Sequence, residues 1–300
     1  MRTLYLSSGG GLGDTIYNFF MKEDWRSIKN IKENYPQIEL ITIFHSHCKE
    51  AAELVTFNPF IDGILSYKWY NKNNPNKFNW KNLINNNIKP VKEFIKKNKT
   101  KQENNSIFLN THEQKIYEDL TKEPYVVVAP FAGSSERTIL SKNNKKCHCL
   151  PQETLLSLLD KISIEHKVII IGQSNTINEH HNNRTDQLPY INDKIIDLTN
   201  KTPLRVTIKL AQSATGFIGT HSSLLVAAWT KNIPSIYFYP TLKEKGLNNT
   251  ILANGGEAGT FKYSLPIHFG YEKSAEEFKQ LPVNKIYDKF KKVLDNRCKI

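Results

Sequence analysis

Several common features are scarce or missing in this 300-residue sequence, and each gap excludes something. Cysteine occurs four times, as Cys48, Cys147, Cys149 and Cys298, which argues for reduced, incidental thiols and against a disulfide framework. Cys147-His148-Cys149 is spaced more tightly than a zinc knuckle, with no second Cys or His pair at the right distance, so no metal is expected there. Purely apolar runs such as 125–129 and 168–171 are only strand-length, far short of the roughly 20 residues of a membrane span. Met1-Arg2-Thr3 leads into a short strand pattern and a glycine loop rather than an apolar signal region with a small-residue cleavage site. A soluble, cytoplasmic protein is therefore expected. No two aspartates stand two residues apart, so the usual carboxylate pair for a divalent ion beside a diphosphate is missing. The glycine loop does not follow the dinucleotide-binding fingerprint.

What is present fits two α/β domains. The length is generous for one core and ample for two, and 39% of residues are hydrophobic. Lys plus Arg number 41 against 29 Asp plus Glu, a formal charge of +12. That excess favours anionic partners: a nucleotide diphosphate, an acidic glycolipid, a membrane face or nucleic acid. Strand-like stretches at 2–7, 38–44 and 61–65 alternate with helical patterns after residue 13 and at 51–55, which argues for a parallel sheet covered by helices. From 68 to 101 Asn, Lys and aromatic residues dominate. Within it, 89–101 fits a basic amphipathic helix with Val91, Phe94 and Ile95 on its apolar side, either a solvated surface helix or an insertion facing an acceptor or membrane. A second α/β unit starts near Glu123, with strands expected at 125–129, 167–171, 195–198, 216–219 and 235–239. Helices are expected at 151–164, 203–213 and 222–231, then at 275–279 and 283–296.

Three loops carry candidate chemistry. In Gly9-Gly10-Gly11-Leu12-Gly13-Asp14, a glycine loop between strand and helix allows close backbone approach to a ligand. Asp14 reads as a helix N-cap, as a carboxylate that takes a proton from a hydroxyl, or as both. In Gly219-Thr220-His221-Ser222-Ser223, the end of a strand meets the start of a helix. The serines and His221 either cap that helix or offer hydroxyls and N–H groups to a phosphate. In 130–137, small residues including Ser134 and Ser135 lead to Arg137, with Lys142, Lys145 and Lys146 beyond. This is a solvated loop or a diphosphate clamp.

Together these segments resemble the heptosyltransferase-like glycosyltransferases, glycosyltransferase family nine. Gly13-Asp14-Thr15-Ile16 is similar to that family's Gly-Asp loop, and 128–134 to the first strand and loop of its donor domain. Leu150-Pro151-Gln152-Glu153 resembles its Trp-Pro-x-Glu helix start. The segment 197–204 resembles Asp-Leu-x-Gly-Lys-Thr-Ser-Leu, and 217–234 its donor-site stretch. The chain has His221 where the family has aspartate, Ser223 where it has glycine, Val226 where it has histidine, and His148 where a lysine is usual. These departures fall on the donor side.

The resemblance implies a GT-B fold, two Rossmann-like domains facing each other across a cleft. Residues 1–122 would bind the acceptor and carry the 68–101 insertion, 123–272 would bind the donor, and 273–300 would pack back on the N-terminal domain. It implies an inverting, metal-independent hexosyl or heptosyl transfer from a nucleotide-diphospho-sugar, with no further cofactor. Asp14 would be the base, with Gly10, Gly11 and Gly13 forming the acceptor-side loop. Ser134, Ser135, Arg137, Lys142, Lys146, Gly219, Thr220, His221, Ser222 and Ser223 would hold the donor. The acceptor would be an anionic glycolipid or glycan, with peripheral contact at the inner face of a membrane. Two alternatives stay open: a nucleic-acid-directed glycosyltransferase, and a non-catalytic anion- or nucleic-acid-binding protein on a degenerate scaffold.

Overall fold

The structure is a computed structural model. It describes residues 2–8, 12–21, 28–45, 49–67, 93, 107–130, 152–172, 192–220, 222–241, 264–270 and 282–297. The chain divides into two compact units, 1–114 and 115–300. Sequence reasoning placed this division at 122/123. The 68–101 insertion, its basic helix, all four cysteines and the 275–279 helix lie outside the described residues, Glu93 excepted.

The first unit holds a parallel sheet of β1 (Arg2–Ser8), β2 (Ile38–His45) and β3 (Gly63–Tyr67) in the order β1-β2-β3. Helices α1 (Leu12–Met21), α2 (Ile28–Asn34) and α3 (Lys49–Glu53) connect the strands. Leu4, Leu6, Ile16, Ile31, Leu40 and Ile43 form its buried interior. β3 begins two residues later than expected because Asp62 is engaged just before it. Its N–H donates to the Leu40 carbonyl at 2.9 Å, and its carboxylate accepts the Leu40 N–H and the Lys32 ammonium, each at 2.7 Å. Partial burial alone would raise the Asp62 carboxyl, but the bonds from Lys32 and Leu40 outweigh it and hold the group below its ordinary value.

Helix α4 (Thr111–Leu120) was not anticipated. It is polar overall, with Ile116, Tyr117 and Leu120 on one face. Its start is fixed by a reciprocal cap: the Glu113 N–H donates to Asn110 Oδ1 at 2.8 Å, and the Asn110 N–H donates to Glu113 Oε2 at 3.0 Å.

The second unit is a six-stranded parallel sheet in the order β6-β5-β4-β7-β8-β9. Its strands are β4 (Tyr125–Ala129), β5 (Lys167–Ile170), β6 (Ile195–Asp197), β7 (Gly216–Thr220), β8 (Ser235–Thr241) and β9 (Ser264–Gly270). Helices α5 (Gln152–Glu165), α6 (Leu204–Ser213), α7 (Ser223–Trp229) and α8 (Val283–Arg297) accompany them. β4 and β7 are buried throughout, as central strands covered on both faces must be, and so they read as continuous rather than alternating patterns. The Tyr125 hydroxyl donates to the Leu210 carbonyl at 3.0 Å, and burial together with neighbouring Tyr117 pushes its pKa far up. Trp229 Nε1 donates to Ser264 Oγ at 2.8 Å, tying α7 to β9.

The C-terminal segment was expected to pack back on the N-terminal domain. Within the second unit, helix α8 lays an apolar face on the sheet: Ile286, Tyr287, Phe290 and Val293 join Val126, Val128, Leu155, Leu159 and Ile162 in one cluster. The Lys291 ammonium meets Glu165 at the end of α5 at 2.7 Å.

Candidate functional site

Numbered within the second unit, the strand order is 3-2-1-4-5-6, the order of doubly wound nucleotide-binding sheets. The winding reverses between β4 and β7, and ligands of such sheets bind outside the carboxyl ends of the strands at that point. Ala129 ends one of these strands, with Pro130 just beyond it, and Gly219 and Thr220 end the other, with Ser222 at the N-cap of the helix that follows.

Gly219 sets the spacing of the two strands. A Cβ there would lie 2.5 Å from the Ala129 carbonyl oxygen and 2.9 Å from the Phe217 ring. The residue placed in the donor site by sequence thus has a steric role, allowing β7 to lie against β4 where the winding turns.

Thr220 and Ser222 come next. Thr220 is 3% exposed and its hydroxyl has no hydrogen-bond partner. Ser222 occupies the N-cap position of α7 with an extended backbone, φ −146° and ψ 174°. Its carbonyl accepts the Val226 N–H at 3.2 Å, but its hydroxyl makes no capping bond and is also buried without a partner. A buried hydroxyl left unpaired costs about 1–3 kcal/mol. Two such groups at one switch point mark a place where a polar ligand group would relieve the deficit. Ser223 is the first residue of α7 and half-buried, whereas Leu224 to Trp229 are all core. Val226, where the resembled family has histidine, therefore faces packing.

A third unpaired hydroxyl, Thr199 Oγ1, lies past the end of β6. The segment 197–204 stands out in the sequence for its motif, whereas nothing in a lone threonine announces Thr199. Neighbouring Lys201 donates to the Asp197 carbonyl at 2.9 Å.

In the first unit, α1 starts at Leu12, so Gly13 and Asp14 are its second and third residues. Asp14 stands inside the first turn rather than at the N-cap. The dipole still favours a carboxylate at that position. Gly10, Gly11, Ser134, Ser135, Arg137, Lys142, Lys146 and His221 lie outside the described residues. Among the described residues, no group of three or more His, Cys, Asp or Glu is placed to hold a metal ion, and no helix is long and apolar enough to cross a membrane.

No protein-family model matches the chain, and no curated protein matches it. Solved structures do. The glycosyl transferase family 9 protein of Veillonella parvula DSM 2008 superposes with a TM-score of 0.56 at 10% identity, over 98% of this chain and 97% of that one. E. coli ADP-heptose lps heptosyltransferase II gives 0.55 at 11%, over 99% of both chains. E. coli heptosyltransferase WaaC, solved with ADP, gives 0.53 at 9%, over the full length of both. At such low identity the likeness speaks to architecture, and it shows that this chain is built on the mixed α/β, parallel-sheet fold of the family-nine glycosyltransferase and heptosyltransferase structures.

Proposed function

We propose that the chain is an inverting glycosyltransferase that takes its sugar from a nucleotide-diphospho-sugar and needs no metal. The observation that carries this reading is the pair of unpaired buried hydroxyls, Thr220 and Ser222, at the switch point of a sheet wound like nucleotide-binding sheets. The donor belongs to the second unit. Thr220, Ser222, Ser223 and His221 bind its diphosphate from the β7 side. Ser134, Ser135, Arg137, Lys142 and Lys146 approach it from the loop after β4, where the cations stabilise the charge of the leaving diphosphate.

The acceptor belongs to the first unit, beside the loop of Gly10, Gly11 and Gly13. Its hydroxyl oxygen forms the new bond at the anomeric carbon, on the face opposite the phosphate oxygen. The bond from that carbon to the phosphate oxygen breaks, and the nucleoside diphosphate departs with the electron pair. The hydroxyl proton passes to the Asp14 carboxylate. The basic composition suits an anionic acceptor such as a glycolipid or surface glycan.

A thermal-shift screen against nucleotide-diphospho-sugars of differing base and sugar tests the reading, since a ligand bound only by the folded state raises the midpoint. At least one member is expected to raise Tm, and its free nucleoside diphosphate to do so as well. A flat response across the panel, combined with salt-sensitive DNA binding, would replace this reading with that of a nucleic-acid binder.

A further inference from the structure

Thr199 bears on the donor site proposed above, and its role rests on that reading. Thr199 is 6% exposed and its hydroxyl has no hydrogen-bond partner. The turn that holds it is otherwise saturated. The Thr199 N–H donates to Asp197 Oδ1 at 2.9 Å, the Asn200 N–H to the Gly172 carbonyl at 3.0 Å, and the Lys201 N–H to the Leu198 carbonyl at 3.0 Å. Left-handed backbone at Asn200, φ 58°, and at Gly172, φ 133°, fixes the exits of β6 and β5 against each other. With its amides spent, this turn cannot wrap a phosphate as a nest of N–H groups does. The Lys201 ammonium on the exposed side of the turn is drawn to the Asp197 carbonyl at 2.9 Å, and at its buried point the turn offers one neutral hydroxyl, able both to donate and to accept, which suits the neutral polar edge of a nucleoside.

Its place agrees. Thr199 follows β6, and Thr220 ends β7, three strand positions away on the same carboxyl edge. At about 4.8 Å per strand the separation is roughly 14 Å, a span that an extended nucleoside diphosphate covers. We propose that Thr199 is a specificity-determining residue that hydrogen-bonds the nucleoside end of the donor while the diphosphate lies at Thr220 and Ser222.

The test is Thr199→Val, which keeps the shape and removes only the hydroxyl. Binding of ADP, UDP, GDP, CDP and inorganic pyrophosphate is measured by calorimetry on the wild-type and variant chains, with thermal melts of both. The expected result is a variant that melts no lower than wild type, because an unpaired buried hydroxyl has gone. Its affinity for the preferred nucleoside diphosphate should fall about 5- to 10-fold, the loss of one hydrogen bond, with pyrophosphate binding unchanged. Equal loss for pyrophosphate, or no loss for any nucleoside diphosphate, overturns the assignment of Thr199. A wild-type chain that binds none of the four nucleotides overturns the glycosyltransferase reading itself, so the two failures are told apart. Should Thr199→Val fold poorly, Thr199→Ser, which keeps a hydroxyl, is expected to retain nucleotide affinity, and a loss there counts against the proposal.

Discussion

A φ of 58° at Asn200 places a non-glycine residue in the left-handed region, where asparagine is among the few side chains tolerated at modest cost. The resembled family has glycine at this point of its Asp-Leu-x-Gly-Lys-Thr segment, so the backbone supports the register in which 197–204 was matched. Asp14 is a harder case. It is the third residue of α1, inside the first turn, where the helix dipole favours a carboxylate, and its role as general base is the proposal to test. Asp14→Asn retains shape and polarity, and folding is expected to be nearly unaffected. Turnover with the native acceptor should fall by about two to four orders of magnitude, the usual contribution of a positioned base, while donor affinity barely moves. Near-normal turnover in steady-state assays of that variant would reduce Asp14 to a residue of the helix start.

Most elements were legible because each carries its own period. The buried faces of α5 and α6, and the short apolar runs of β4, β5 and β7, announce themselves along the chain. The elements missed are harder to read: α4 is short and mostly polar, with only Ile116, Tyr117 and Leu120 to mark its face and an Asn110–Glu113 cap to fix its start. β9 carries Pro266, which reads against a strand and is tolerated because β9 is the sheet edge. The candidate site was legible only as loops at strand ends. Which hydroxyls stay unpaired depends on packing between elements distant in sequence. The docking of α8 is another property of this kind. A Cβ at Gly216 would lie 2.6 Å from Phe290 Cζ and 2.8 Å from Leu294 Cδ2, so the helix closes down on a bare stretch of β7. Gly216→Ala is expected to destabilise the fold by about 1–3 kcal/mol, the usual result of overpacking. Denaturant melts measure this, and adding Phe290→Leu should cost less than the two single changes summed, because the shorter side chain relieves the clash. An unchanged midpoint for Gly216→Ala would mean that α8 docks more loosely than described.

At the scale of the whole molecule, some of the cations behind the +12 charge also hold helix ends in place. Lys167 donates to the Leu120 carbonyl at 3.1 Å and Lys194 to the Ile164 carbonyl at 2.7 Å, each at the carboxyl end of a helix where a cation is favoured. Lys231 precedes β8, at the amino edge of the sheet and so opposite the switch point. Burial lowers its pKa and that of Lys209, and Lys231 lowers Lys209 further by like-charge repulsion. Net charge favours an anionic partner without saying which part of the chain holds it, and the division into units addresses that question. If the donor belongs to residues 115–300, donor binding has a local signature in hydrogen exchange. Amides open through local and sub-global fluctuations, and a ligand suppresses those that destroy its site. At a concentration of about 100 Kd the added protection is about 2.7 kcal/mol, near 100-fold in rate. A donor nucleotide without acceptor is thus expected to slow exchange along the carboxyl edge of the second sheet, at 126–130, 170–172, 198–204 and 217–226. Exchange in β1 and β2 should stay as it was. Comparable protection in β1 and β2, with none in the second unit, would leave nucleotide binding standing and move the donor to the other half of the chain.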